Sequence, residues 1–187
     1  MRISNSYYLI VDVEATCSGD GVVPRQEMEI IEIGAVMQSS RTFEIESEFR
    51  TFVRPMRHPV LTDFCIQLTG ITQEKVFSAP LFGAALEAMK KWMYGFDDAL
   101  FCSWGDYDRN QFVQDCGYHR IGYPFRSEHL NLKVAFSQAV GVKKKLGVSG
   151  ALGHCGLQFE GSPHRGLDDA KNIARVVRWV CLPANTP

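Results

Sequence analysis

The sequence has no long hydrophobic run, no paired-cysteine motif and no surplus of either charge, and each absence narrows what the chain can be. No window approaches the roughly 18 uninterrupted apolar residues of a membrane helix, and the opening MRISNSYY has no apolar core of the secretory-signal kind. The chain therefore reads as a soluble, cytoplasmic protein with no membrane partner. Its six cysteines, at 17, 65, 102, 116, 155 and 181, include no CxxC pair and no regular spacing, which argues against a disulfide framework and against a closed zinc site. A formal net charge of −1 gives no global basic footprint, so any nucleic-acid contact must be local and short. Lys143 to Lys145 lie in VGVKKKLGVSG, the setting of a solvated loop. There is no GxGxxG turn and no P-loop, so a generic nucleotide-binding domain has no support.

What is present is enough for one well-packed unit: 187 residues, 45% of them hydrophobic, with no repeat and no internal linker. The domain is expected to span 1–182, with 183–187 as a loose tail. YYLIVDV and EIIEIGAVMQ are apolar, β-rich runs, and EIESEFRTFVRP alternates until Pro55 stops it, which predicts three neighbouring strands joined by short loops. APLFGAALEAMKKWMYG has helical spacing, DALFCSW predicts a further strand, and DRNQFVQDCG a short helix ending near Gly117. HLNLKVAFSQAVG and LDDAKNIARVVRWV supply later helices. The fold class is α/β, a mixed sheet flanked by helices.

The first strand carries two acids, Asp12 and Glu14, in YLIVDVEATC. Two residues apart in an extended run, they share a face and could share a divalent cation. A loop already leaving the strand would explain a lone DxE equally well. In SPHRGLDDAKNIARVV, His164 stands five residues before Asp169 at the start of a helix. Capping and the helix dipole favour Asp168 and Asp169 there on structural grounds alone. A third group, CSWGDYDRNQF, places Asp106 and Asp108 just after an apolar strand, and the ends of strands are where sites are usually built.

Asp, Glu, Asp, then His and Asp with HxxxxD spacing resembles the DEDDh family of 3′-to-5′ exonucleases, whose domain is ribonuclease H-like. LIVDVEATC, LTGITQEKV and PHRGLDDAKNIAR are most similar to the histone-mRNA 3′-end and Eri-type exoribonucleases within it. The resemblance implies a metal-dependent enzyme releasing nucleoside 5′-monophosphates from single-stranded 3′ ends, RNA in preference to DNA. It implies Asp12, Glu14, Asp108 and Asp169 as ligands of two Mg²⁺ ions, with Mn²⁺ as a substitute, and His164 as general base. Asp108 rather than Asp106 fits the second motif, because Tyr107 and Phe112 frame it, and Asp106 is left as the acid that caps the helix. Hard carboxylate oxygens suit these metals, and two ions can serve both ends of an in-line displacement. A histidine titrates ordinarily near pH ~6.5, which suits a proton acceptor. Gly166 would allow a tight backbone between His164 and Asp169.

The same resemblance implies that Ala15 and Thr16 border the 3′-terminal sugar, and that Leu68, Thr69 and Gly70 shape the terminal-nucleotide pocket. A helix ended by Gly70, with Thr72 capping the next, is the structural alternative for that segment. Two further functional classes stay open on the sequence: a DNA-directed proofreading exonuclease, and a binding module of the same fold.

Overall fold

The computed structural model describes residues 5–125 and 128–181, and the expected tail at 183–187 lies outside them. Its centre is a five-stranded mixed sheet in the order β3-β2-β1-β4-β5. The strands are β1 (Tyr7–Ala15), β2 (Ile30–Ser39), β3 (Ile45–Phe52), β4 (Ala99–Ser103) and β5 (His129–Asn131). β1, β2 and β3 run antiparallel, while β4 and β5 continue parallel to β1. This is a ribonuclease H-like arrangement. The seven helices among the described residues are α1 (Asp63–Thr69), α2 (Gln73–Phe77), α3 (Phe82–Met93), α4 (Tyr107–His119), α5 (Leu132–Ala139), α6 (Val148–His154) and α7 (Gly166–Cys181). No described helix is long and apolar enough to cross a membrane.

The sheet separates two apolar layers. Leu9, Val11 and Val13 of β1 face a core shared with Leu86 and Met89 of α3 and Phe112 of α4. Tyr8 and Ile10 face the other core, shared with Phe136 of α5, Leu152 of α6 and Ile173 and Val177 of α7. The period-two alternation of a strand therefore continues the Tyr8–Ile10 row into Asp12 and Glu14, on the α7 side. β2 is buried along its whole length, which is why its centre, Ile33 to Met37, is apolar on both faces rather than alternating.

Several expectations need correcting. β1 and β2 are not joined by a short loop: residues 16–29 intervene and include a 3-10 turn at Arg25–Glu27. Glu29 at the end of that connection is buried, and its carboxylate accepts the backbone N–H groups of Met56, Arg57 and His58. The segment expected to begin a helix at His129 opens instead with β5, because Asn131 caps α5 by accepting from Val134 N at 3.1 Å. α4 runs past Gly117 to His119 and stops at Arg120, which takes the left-handed conformation at φ 55°. α6 carries too short an apolar pattern to be evident in sequence.

α7 crosses β2 and β1 with no side chain between the backbones. A Cβ on Gly34 would fall 2.0 Å from the carbonyl carbon of Gly166, and one on Gly166 would fall 2.8 Å from the Asp12 carbonyl oxygen. Gly166 is thus required by close approach rather than by a positive φ. Gly34→Ala should cost at least the ~1–3 kcal/mol typical of an overpacked site, since the obstructing atoms are all backbone. Denaturant unfolding checks this, and wild-type stability in Gly34→Ala would contradict the packing described.

Candidate active site

The site forms where the sheet splits. β1 pairs with β4 only from Tyr7 to Ile10, opposite Ala99 to Cys102, so beyond Ile10 the β4 side of β1 has no ladder partner. The Val13 N–H on that stretch is taken by a side chain, Asp108 Oδ1, at 3.0 Å. Asp108 sits in the first turn of α4, 4% exposed. A crevice at the carboxyl end of parallel strands is where α/β sheets place ligands.

Three acids converge there. Asp12, Glu14 and Asp169 can each offer an oxygen such that all three lie within 4.8 Å of one another. Asp108 lies outside that trio but close enough to act on Asp12, Glu14 and Asp169 electrostatically. Asp169 is fixed by the first turn of its own helix: its Oδ2 accepts from Arg165 N, four residues back, at 3.0 Å. The neighbouring Asp168 faces elsewhere, accepting from Ser162 N at 2.9 Å.

These carboxyls are held above their ordinary range. Burial is the main cause for Asp12, followed by the charges of Asp108, Asp169 and Glu14. Burial and then Asp169 push Glu14 up to about 8. Asp108 rises to about 6 through burial, moderated by the hydrogen bond from Val13. Asp169 is raised by burial and pulled back by the Arg165 N–H and by His164. Hard oxygen donors crowded without a counter-charge fit a divalent cation.

His164 is exposed, at φ 61°, on the turn that leads into α7. A left-handed non-glycine residue costs of order 1–2 kcal/mol, so the surrounding turn must impose this conformation. The residue that follows, Arg165, is anchored through its N–H to Asp169 and through its guanidinium to Glu32, and neither Arg165 nor Glu32 was expected at the site. Glu32 is fully buried on β2, opposite Glu14 in the ladder. It accepts from Arg50 Nε at 2.7 Å, from Arg165 Nε and Nη2 at 3.2 Å each, and from Gly166 N at 3.2 Å. The signal was available: an acid inside IIEIGAV raises the same question as the acids in LIVDVEA.

The segments expected around the substrate lie beside this centre. Ala15 and Thr16 are buried, with Thr16 N donating to Glu29 O and Thr16 Oγ1 accepting from Glu29 N. In α1, Leu68 is 39% exposed, whereas Thr69 is buried with its hydroxyl donating to Cys65 O and accepting from Ile71 N. Gly70 ends α1 at φ 64°, as the structural alternative required, while Thr72 precedes α2 without a side-chain cap bond. Asp106 stands at the N-cap position of α4 but likewise makes no cap bond, which corrects its expected role. Its carboxylate lies 3.4 Å from Arg109 and 3.7 Å from His129.

The exonuclease (RNase_T) family model matches residues 9–177. Mouse ERI1 exoribonuclease 3 is 38% identical over 182 residues, covering 92% of this chain and 52% of that protein. Human 3′-5′ exoribonuclease 1 is 35% identical over 189 residues, covering 94% of this chain and 53% of that protein. The chain thus spans about half the length of these curated relatives. The crystallographic structure of the nuclease domain of 3′hExo, a DEDDh family member bound to rAMP, superposes with a TM-score of 0.87 at 34% identity, covering 95% of this chain and 92% of that one. The cell-death related nuclease 4 structure, at TM-score 0.78 and 21% identity over 93% of this chain and 63% of that one, shares the fold.

Two outcomes follow from the geometry. Glu14 holds its proton more tightly when folded, at about 8, than at its ordinary 4.5, so the stability it contributes is complete below pH 4.5 and lost as the pH rises through about 8. In metal-free protein Glu14→Gln should flatten the fall in melting temperature across that window, and an unchanged pH profile would contradict it. Separately, Asp108→Ala should cost ~1–3 kcal/mol by orphaning the buried Val13 N–H, while Asp106→Asn should stay within ~0.5 kcal/mol of wild type. Thermal denaturation of the pair distinguishes the two acids.

Proposed function

Because this chain belongs to the exonuclease (RNase_T) family, we propose that it is a divalent-metal-dependent 3′-to-5′ exoribonuclease releasing nucleoside 5′-monophosphates from single-stranded 3′ ends. The observation that carries the reading is the convergence of Asp12, Glu14 and Asp169 within 4.8 Å, beside buried Asp108. Asp12, Glu14 and Asp169 would hold one Mg²⁺ or Mn²⁺ ion, and Asp12 with Asp108 a second. Such ions supply positive charge to the scissile phosphate and acidify the attacking water.

The chain's own residues account for the rest. His164, in its neutral form, accepts the proton of the attacking water, and Asp169, close enough to interact with it electrostatically, stabilises the imidazolium that forms. The left-handed turn at His164 sets the ring's approach, and the Glu32–Arg165 clamp fixes the turn. Leu68 and its helical neighbour Phe64, 45% exposed, offer an apolar surface for the terminal base, beside the backbone of Ala15 and Thr16. Preference for RNA over DNA is supported by the relatives named as exoribonucleases and by the rAMP-bound nuclease domain.

The test is mononucleotide release from a 5′-labelled RNA oligomer with Mg²⁺ or Mn²⁺. Asp12→Ala should abolish both turnover and stabilisation by Mn²⁺. His164→Ala should lower turnover by ~10²- to 10⁴-fold while Mn²⁺ binding, followed by calorimetry, survives. Full cleavage by Asp12→Ala would overturn the assignment, and lost Mn²⁺ binding in His164→Ala would make that residue a ligand instead.

A further inference from the structure

Lys75 lies in QLTGITQEKV, a segment to which the carboxylate chemistry assigns no charge-bearing role. Its Nζ is 5.7 Å from the centroid of the Phe52 ring, and the same ring has the guanidinium carbons of Arg50 and Arg165 at 4.9 and 5.6 Å. Three cations therefore surround one half-buried aromatic ring. Arg50 and Arg165 are tied to the buried Glu32, and Arg165 also feels Asp168 and Glu14. Among the described residues Lys75 has no carboxylate within ion-pair distance, and the Arg50 side chain is 41% exposed despite its bond to Glu32. The single carboxylate of Glu32 is shared by the two arginines, and a ring attracts an exposed cation by only ~0.5–1 kcal/mol, so the cluster of three cations keeps a positive excess, carried by Lys75 and the solvent-facing part of Arg50.

The ladder fixes where this cluster stands. Glu14 lies opposite Glu32, and Glu32 opposite Phe52; Asp12 lies opposite Gly34, and Gly34 opposite Arg50. Two rows thus run across the sheet from the carboxylates to β3, the edge strand. At ~4.8 Å per strand, β3 with Arg50 and Phe52 stands roughly 10 Å from the carboxylate strand, and the Arg165 guanidinium lies between them on Glu32. A single strand with one phosphate at the acids could place a neighbouring phosphate there.

We propose that Arg50, Lys75 and Arg165, arrayed around Phe52, form a subsite for a backbone phosphate of single-stranded RNA upstream of the cleaved bond. The proposal rests on the exonuclease reading of the carboxylate centre. It supplies locally the positive charge that a chain of net charge −1 lacks overall. Arg50 and Arg165 hold the fold through Glu32, so Lys75, exposed and free of that clamp, is the residue to change.

The experiment measures equilibrium binding of 2- and 10-nucleotide single-stranded RNA, the shorter one lacking any phosphate upstream of the scissile one, with Ca²⁺, and kcat and KM with Mg²⁺, for the full chain carrying Lys75→Glu or Lys75→Arg. Lys75→Glu should weaken decamer binding about tenfold, with the loss appearing in KM, and should affect the dinucleotide much less. Removing the contact should also make the decamer's logarithmic salt slope shallower by about 0.7, and Lys75→Arg should restore wild-type affinity. Unchanged decamer binding in Lys75→Glu, an equal loss on the dinucleotide, or no RNA binding by the wild type would each overturn the subsite. If the wild type binds the decamer in a Lys75-dependent way but cleaves nothing, the subsite stands and the exonuclease reading falls. If it cleaves while Lys75→Glu binds as well as wild type, the reading stands and the subsite falls.

Discussion

Everything at the carboxylate centre depends on how closely the first turn of α7 approaches the sheet. Gly34 and Gly166 meet backbone to backbone, with no room for a Cβ on either. The contact brings Asp169 within range of Asp12 and Glu14. A larger residue at either glycine would lift the helix by about the width of a methyl group, and site geometry tolerates displacements of that size poorly. The same approach leaves backbone polar groups in a tight space, and Glu32 answers one of them directly by accepting from Gly166 N.

Two kinds of buried acid stand side by side on this face, and the difference between them is instructive. Glu32 is fully enclosed, yet two arginines and a backbone N–H satisfy it, so it serves as a fastener between β2, β3 and the α7 turn. Asp12 and Glu14 occupy neighbouring positions on the next strand without an ion pair among the described residues, and burial together with the nearby acids raises their affinity for protons. The chain thus neutralises one acid internally and leaves the others repelling one another, which separates a structural ion pair from a cluster of perturbed acids.

Much of the fold was legible because its signals are local. β1, β2, β3, α3, β4 and α7 follow from apolar periodicity, and Asp12 with Glu14 announced themselves as acids in an apolar strand. The family motifs singled out Asp108 over Asp106; the first is buried against β1 and the second is exposed beside Arg109. What sequence did not reveal is tertiary in origin. β5 is three residues long and exists only because β4 offers it an edge, and the cap bond expected of Asp106 is absent because its carboxylate lies toward Arg109 and His129 instead. Glu32 and Arg165 are 133 positions apart, and neither position carries a pattern that names the other. The steric need at Gly34 could not be inferred either, since a glycine inside a strand has several meanings.

The order of these elements along the chain has a bearing on biosynthesis. β1, β2 and β3 form an antiparallel meander within residues 7–52, but β4, whose divergence opens the crevice, begins at Ala99, and α7 at Gly166. A nascent polypeptide emerging from the ribosome therefore holds Asp12 and Glu14 long before His164 and Asp169 exist. The two halves of the centre are joined only when α7 has been translated and has docked across the first two strands. Until then a growing chain carries the acids of β1 without the one from α7, and the convergence is a property of the docked helix, not of the meander.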